Sequence, residues 1–418
     1  MDITGFLAAE WKPALGCTEP AAVAWTAALA ADQAGGNARQ VRLRCDARTY
    51  KNCYAVGIPN SGRQSGLLWS LALGAHLGDP SLGLRSFEGN TPASIAAAGE
   101  LLARRGAEVE VESDRVSLMV DVTVVSDRGV GRAVVEREHT NLARLEKDGR
   151  LVGGAASRSD SVPSSTAGEE AARMRIGELM ELARTLGESD RVRLREGLSL
   201  NLAIARHGLS LLPAGFVPPG GQDSQTRISR LVSAGVYARM SGEPLTVMTL
   251  AGSGNKGITT SIPVVLWGRE SGHDEGRIEE ALAFACLMTT TATWHLGTLS
   301  AICGAANASG IGIAAALVML EGGSAHQVGL AVSNMVGNVA GMICDGAKIG
   351  CAMKTMTGVD AAFRAANLAL AGIGIPATDG IVGEDGEESL SNLGRLAQHG
   401  MVGVDAEILR IMQDKLRR

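Results

Sequence analysis

Apolar residues recur at helical spacing from about Glu19 to Gln33, and the pattern then switches to alternation in VRLRCDA, Val41 to Ala47. A second short extended run follows at Tyr54 to Ile58. The spacing predicts a helix through PASIAAAGELLARRG, Pro92 to Gly106, and strands in VEVES, VSLMVDVTVV and GRAVVERE. Residues 1–152 therefore read as a mixed α/β domain. Residues 153–168, rich in Ser, Gly and Ala with Pro163, read as a linker or loop. From 169 to 418 helical spacing dominates, interrupted by PAGFVPPGGQ (Pro213 to Gln222) and AGSGNKG (Ala251 to Gly257). The fold class is α+β, an N-terminal mixed α/β domain followed by a mainly helical one, with no solenoid repeat.

One stretch imitates a membrane span: Ala281 to Leu320 carries no formal charge when His295 is neutral. Its many Thr, Gly, Asn and Ser residues suit helices packed inside a protein better than a lipid-facing surface. Composition agrees, since 45% hydrophobic residues in 418 supply a large core. A net charge of −5 and 3% aromatic residues speak against a nucleic-acid surface, leaving a small-molecule site as the expectation. Seven cysteines without an even framework imply reduced thiols, and Asp2 and Glu10 stand where a signal peptide needs a basic start and an apolar stretch. The expected location is the cytoplasm.

Three constellations carry chemistry. In GMICDGAKIGCAMK, Cys344 and Cys351 are seven positions apart, and Cys303 in LSAICG lies forty-one positions upstream. Three thiolates among small residues would suit an iron-sulfur cluster, because soft sulfur binds iron well. On spacing alone, ordinary buried thiols explain these residues equally well. Zinc fits less well, because no CxxC or close Cys/His pair is present.

The second constellation is KPALGCTEP, where Cys17 precedes Thr18, which reads as a helix N-cap, with Glu19 and Pro20 in the first turn. A thiol there is expected to ionise more easily and can act as base, nucleophile or ligand; the plain alternative is a small packed residue. In the third, Ser253, Gly254, Asn255 and Lys256 lie in a glycine-rich loop that can form a nest for an anion such as a carboxylate, or simply a tight turn. Two lesser segments add Lys51 and Asn52, read as strand and turn, and His139, Thr140 and Asn141, read as the end of a strand. His295 and the remaining Cys45, Cys53 and Cys286 read as core residues.

Taken together and in order, KPALGCTEP, YKNxxxVGIPxxG, HTNLxRLEKDG, GSGNxGI, LSAICG and MICDGAKxxCAMK resemble the L-cysteine desulfidase family, relatives of the α-chain of bacterial iron-sulfur L-serine dehydratases. The resemblance covers nearly the whole chain. It implies that Cys303, Cys344 and Cys351 hold a 4Fe-4S cluster with one iron open to substrate, and that Cys17 belongs to the active site. The implied reaction is α,β-elimination from a small amino acid, by default L-cysteine to pyruvate, ammonia and sulfide. On this reading Cys17 and His139 are catalytic, and Lys51, Asn52, Thr140, Asn141 and Ser253 to Lys256 bind substrate. The chain departs from the pattern at Asn60, Ser61, Tyr237, Lys256 and Thr298, so another β-substituted amino acid is an alternative substrate. Two competing readings are a pyridoxal-phosphate lyase using Lys51, Lys256, Lys348 or Lys354, and a non-enzymatic iron-sulfur redox sensor. The expected partner is the small-molecule substrate, with no nucleic acid and no membrane; a homodimer is the assembly to test.

Overall fold

A computed structural model describes residues 1–113, 115, 117–137, 139–154, 167–216, 223–297 and 300–416. The chain runs α1 (Ile3–Glu10), β1 (Lys12–Leu15), α2 (Thr18–Ala34), β2 (Ala38–Asp46), α3 (Ala47–Cys53), α4 (Leu67–Gly74) and α5 (Pro92–Ala103). Strands β3 (Ala107–Glu112), β4 (Met119–Ser126), β5 (Val130–Glu136), β6 (Leu142–Lys147) and β7 (Arg150–Gly153) come next. Then follow α6 (Ala167–Ala172), α7 (Ile176–Ala183), α8 (Glu188–Gly208), α9 (Ser224–Met240), β8 (Thr246–Thr249), α10 (Gly254–Glu270), α11 (Glu275–Leu296) and α12 (Gly304–Leu320). The chain closes with α13 (Ala325–Val339), α14 (Cys351–Leu370), α15 (Gly386–Arg395) and α16 (Val402–Leu416).

The alternating runs pair into a six-stranded sheet of order β3-β2-β4-β5-β6-β7, parallel only between β2 and β3. Alternation puts Val41, Leu43 and Cys45 of β2 and Val120, Val122 and Val124 of β4 on the buried face, beneath the alanine-rich α2. The approach is close: a Cβ at Gly131 of β5 would lie 1.9 Å from the Ala30 carbonyl oxygen of α2. Gly131→Ala is therefore expected to lower stability by about 1–3 kcal/mol, read as a lower denaturant midpoint.

The uncharged stretch supplies α11 from Ala281 onward and all of α12, and α12 is buried from Ala306 to Leu320. A helix apolar all round belongs inside a core, and here it is packed by α11, α10, α13 and α14. Among the described residues no helix is long and apolar enough to cross a membrane. The two hydrophobic cores interlock along the chain: Ile3, Phe6, Leu7, Trp11, Cys17 and Val56 join the helical core, and Leu409 of α16 joins the sheet core.

Three local readings change. TYKNCY is not a strand: Asp46 accepts hydrogen bonds from the amides of Arg48 (3.0 Å) and Thr49 (2.9 Å) and caps α3, which carries Lys51 and Asn52. The run at 54–58 is not a strand either, Gly57 forming one isolated bridge with Ser65. Cys17, not Thr18, occupies the N-cap position of α2. Most of the expected linker, residues 155–166, and positions 217–222 of PAGFVPPGGQ lie outside the described residues.

Candidate active site

Strand β1 pairs antiparallel with β8, Lys12 opposite Thr249 through Leu15 opposite Thr246. This ribbon brings the turn before α2 against the glycine-rich loop before α10, although more than two hundred residues separate them. Arg239 of α9, 3% exposed, joins the two loops: its guanidinium donates to the Gly16 carbonyl (2.7 Å) and to Asn255 Oδ1 (2.9 Å). Thr18 adds a longer bond to the Gly252 carbonyl at 3.4 Å.

A second junction aligns two cysteine loops. Ile302 and Ile343 form an isolated antiparallel bridge, in which the Cys303 amide donates to Met342 (2.9 Å) and the Cys344 amide to Ala301 (2.7 Å). Cys303 is the N-cap of α12 and Cys351 the first residue of α14. Asp345 pairs with both Lys348 and Lys354, and Lys354 also donates to the Ile343 carbonyl at 2.8 Å, ordering the connection from Cys344 to Cys351. Burial opposes ionisation of Asp345, but the bonds from Lys348 and Lys354 hold its carboxyl down to about 2.

Both junctions face one cavity of about 160 Å³, whose wall includes Cys17, Cys303, Cys344 and Cys351. Helices α2, α10, α12 and α14 all begin at this wall, so the positive ends of four helix dipoles favour negative charge inside it. All seven cysteines are free. Among the described residues no group of His, Cys, Asp or Glu is close enough to hold a single metal ion. The donor set fits an iron-sulfur cluster: three soft ligands, small neighbours, and a cavity demanding anions. Burial, then mutual repulsion with Cys344 and Cys351, pushes the Cys303 thiol up to about 12, and burial raises Cys351 too. Iron binding would displace those protons.

Cys17 corrects the expectation of easy ionisation. Burial, then the Glu19 carboxylate, pushes its thiol up to about 12 despite the helix start, so it is a protonated donor to Glu19 Oε2 at 3.3 Å. Glu19 Oε1 in turn accepts from Asn52 Nδ2 at 2.9 Å. The triplet Cys17–Glu19–Asn52 is therefore assembled from α2 and α3. The clue to Glu19 is its place two residues after Cys17, in the first turn of the same helix.

Lys51 lines the cavity but its ammonium is committed, to Asp405 of α16 at 2.5 Å and to the Cys344 carbonyl at 2.8 Å. Gly346, at φ +98°, leaves room for this contact: a Cβ there would lie 2.3 Å from the Lys51 carbonyl oxygen. Removing one partner of a buried ion pair strands the other, so Asp405→Ala is expected to cost about 3–5 kcal/mol. Denaturation measures that loss, and faster hydrogen exchange at the Cys344 amide would report the loosened loop.

His139, in the turn between β5 and β6, also reaches the cavity, and its buried Nε2 has no hydrogen-bond partner. Ser253, Asn255 and Lys256 line the wall, while Gly254 packs under Arg239, where a Cβ would lie 2.4 Å from Nε. Thr140 is exposed, and Asn141 donates to the Glu136 carbonyl at 2.9 Å; neither lines the cavity. Of the departures from the resembled pattern, Asn60 bonds the Phe87 carbonyl, Ser61 bonds Ile58, and Tyr237 packs edge-on to Phe216; none of the three lines the cavity. Thr298 lies outside the described residues. Of the four that are described, Lys256 is the one in the wall. Burial pushes its ammonium down to about 8, against the opposing pull of Glu10, Glu19, Cys303 and Cys344.

The chain is 37% identical over 411 residues to a UPF0597 protein of Geobacter sulfurreducens, covering 96% of each chain. A UPF0597 protein of Caldanaerobacter subterraneus is 34% identical over 417 residues, covering 99% of this chain and 98% of the relative. One from Oleidesulfovibrio alaskensis is 38% identical over 423 residues, covering 97% and 96%. Residues 129–410 match the serine dehydratase alpha chain family, a span that includes His139, Lys256 and all three cysteines of the cavity's second junction. The chain belongs to the serine dehydratase alpha chain family.

Proposed function

We propose that this serine-dehydratase-like lyase depends on a 4Fe-4S cluster and eliminates a β-substituent from a small amino acid, with L-cysteine as the default substrate and serine-like amino acids as the alternative. The observation that carries the reading is the meeting of Cys303, Cys344 and Cys351 on one cavity at which four helices begin. Cys303, Cys344 and Cys351 would hold the cluster. When bound, the cluster supplies Lewis acidity toward the departing sulfur or oxygen.

The rest belongs to the chain's own residues. Cys17 is a thiol in the resting site, so it can take the Cα proton only after passing its own proton to Glu19, the acceptor of its hydrogen bond; Asn52 fixes the Glu19 carboxylate for this exchange. His139, with its open Nε2, is the second group able to move a proton at the cavity. The polar wall from Ser253 to Lys256 holds the substrate. Loss of the Cα proton and the β-substituent leaves an enamine, which tautomerises and is hydrolysed by water to a keto acid and ammonia.

The test is anaerobic reconstitution with ferrous iron and sulfide, followed by assay of keto acid, ammonia and sulfide across a panel of amino acids. Keto acid and ammonia should appear in equal amounts, with sulfide released from cysteine. Protein carrying a full cluster that turned over no member of the panel would refute the lyase reading and favour a redox-sensing role.

A further inference from the structure

Two of the four Lys and Arg side chains in the cavity wall lack a direct ion-pair partner among the described residues. Of the four, Arg48 and Lys51 share Asp405 as counter-ion. Arg239 and Lys256, 3% and 6% exposed, instead bond the neutral oxygens of Gly16, Asn255 and Ala251. Glu19 is the acid in the wall, and its two oxygens already accept from Cys17 and Asn52. Glu10 and Glu19 act on Lys256 only at longer range, and a buried cation without a direct ion-pair partner is costly, so such a pair suits an anion that arrives to meet it.

Both cations also have donors to spare. Lys256 donates once, to the Ala251 carbonyl at 2.9 Å, leaving two of its three N–H groups. Arg239 uses its terminal nitrogens for Gly16 and Asn255, while its buried Nε has no partner. Lys256 stands at the start of α12, where a Cβ on Gly304 would lie 3.3 Å from its Cε, next to Cys303. Arg239 stands at the opposite junction, against the carbonyl that precedes Cys17.

We propose that Lys256 and Arg239 receive the α-carboxylate of the substrate, so that the site selects compact carboxylates and discriminates against the corresponding amines. This rests on the lyase reading for its substrate, but the charge argument stands on the cavity alone. Lys256 is then the specificity-determining residue, because Arg239 is largely occupied in joining the two loops.

Two thiol probes separate the ends of the substrate: 3-mercaptopropionate keeps the carboxylate and lacks the amine, and cysteamine does the reverse. Titration calorimetry on the reconstituted holoprotein should show 3-mercaptopropionate binding roughly 10- to 100-fold tighter than cysteamine, as charged hydrogen bonds to one end imply. Lys256→Gln, which keeps a donor for Ala251, should erase most of that preference and raise KM far more than it lowers kcat. Equal binding of the two probes by the wild type would overturn the proposal, whatever the variant does. So would Lys256→Gln protein with an unchanged KM but altered iron content or cluster spectrum, since the lysine would then serve the cluster's charge. Absence of turnover with the probe preference intact would instead refute the lyase reading and leave the carboxylate site standing.

Discussion

Cys344→Ser protein, prepared and reconstituted without oxygen, is expected to lose most of its iron and essentially all turnover. Only three cysteines from the second junction and its following helix reach the cavity, and each would supply one of three protein thiolates. The same outcome is expected for Cys303→Ser and Cys351→Ser. The control is Cys286→Ser: Cys286 is fully buried in α11 and does not line the cavity, so its iron content and turnover should match the wild type. Full iron and full turnover in Cys344→Ser protein would remove the ligand assignment.

Cys17→Ala should behave differently, because Cys17 faces the cavity from α2 and is bonded to Glu19 rather than set in the clamp that aligns Cys303 with Cys344. It should keep most of its iron and lose turnover by about 10²–10⁴-fold, the usual consequence of deleting an acid/base group. Exchange of the substrate's Cα hydrogen with solvent should fall in parallel. Glu19→Gln should repeat the loss, since the amide cannot take up the thiol proton, and Asn52→Ala should show it in milder form. Near-normal turnover in Cys17→Ala protein would reduce Cys17 to a packing residue at the start of α2.

Much of the fold was legible because it rests on local periodicity. Alternation in VRLRCDA and VSLMVDVTVV located β2 and β4, and the uncharged stretch announced the buried pair α11 and α12. Helix α3 escaped because Thr49, Tyr50 and Cys53 favour strands, whereas Asp46 caps the segment from the preceding strand. Within the site, residue chemistry pointed to the thiols and the glycine-rich loop. What it missed acts over long sequence distances: Asp405 meets Lys51 across 354 positions and Arg239 meets Gly16 across 223. No local pattern encodes such pairings. The same blindness explains Tyr237, Asn60 and Ser61, which looked like departures at the substrate but lie away from the cavity.

Interpretation of Lys51 changes most for this reason. As a sequence position it offered a cation for substrate; in the structure it ties α16 to the carbonyl of Cys344, so it supports the cysteine loop from behind. The polar wall formed by α10 and Arg239 is left as the surface proposed to hold substrate.

The most direct test of the account is the dependence of keto-acid formation on bound iron. Protein reconstituted anaerobically should carry about four iron and four acid-labile sulfide per chain, and cysteine-dependent pyruvate formation should fall with iron on chelation and return when ferrous iron and sulfide are restored. Undiminished pyruvate formation by iron-free protein, or activity abolished by borohydride reduction of a carbonyl chromophore, would contradict it.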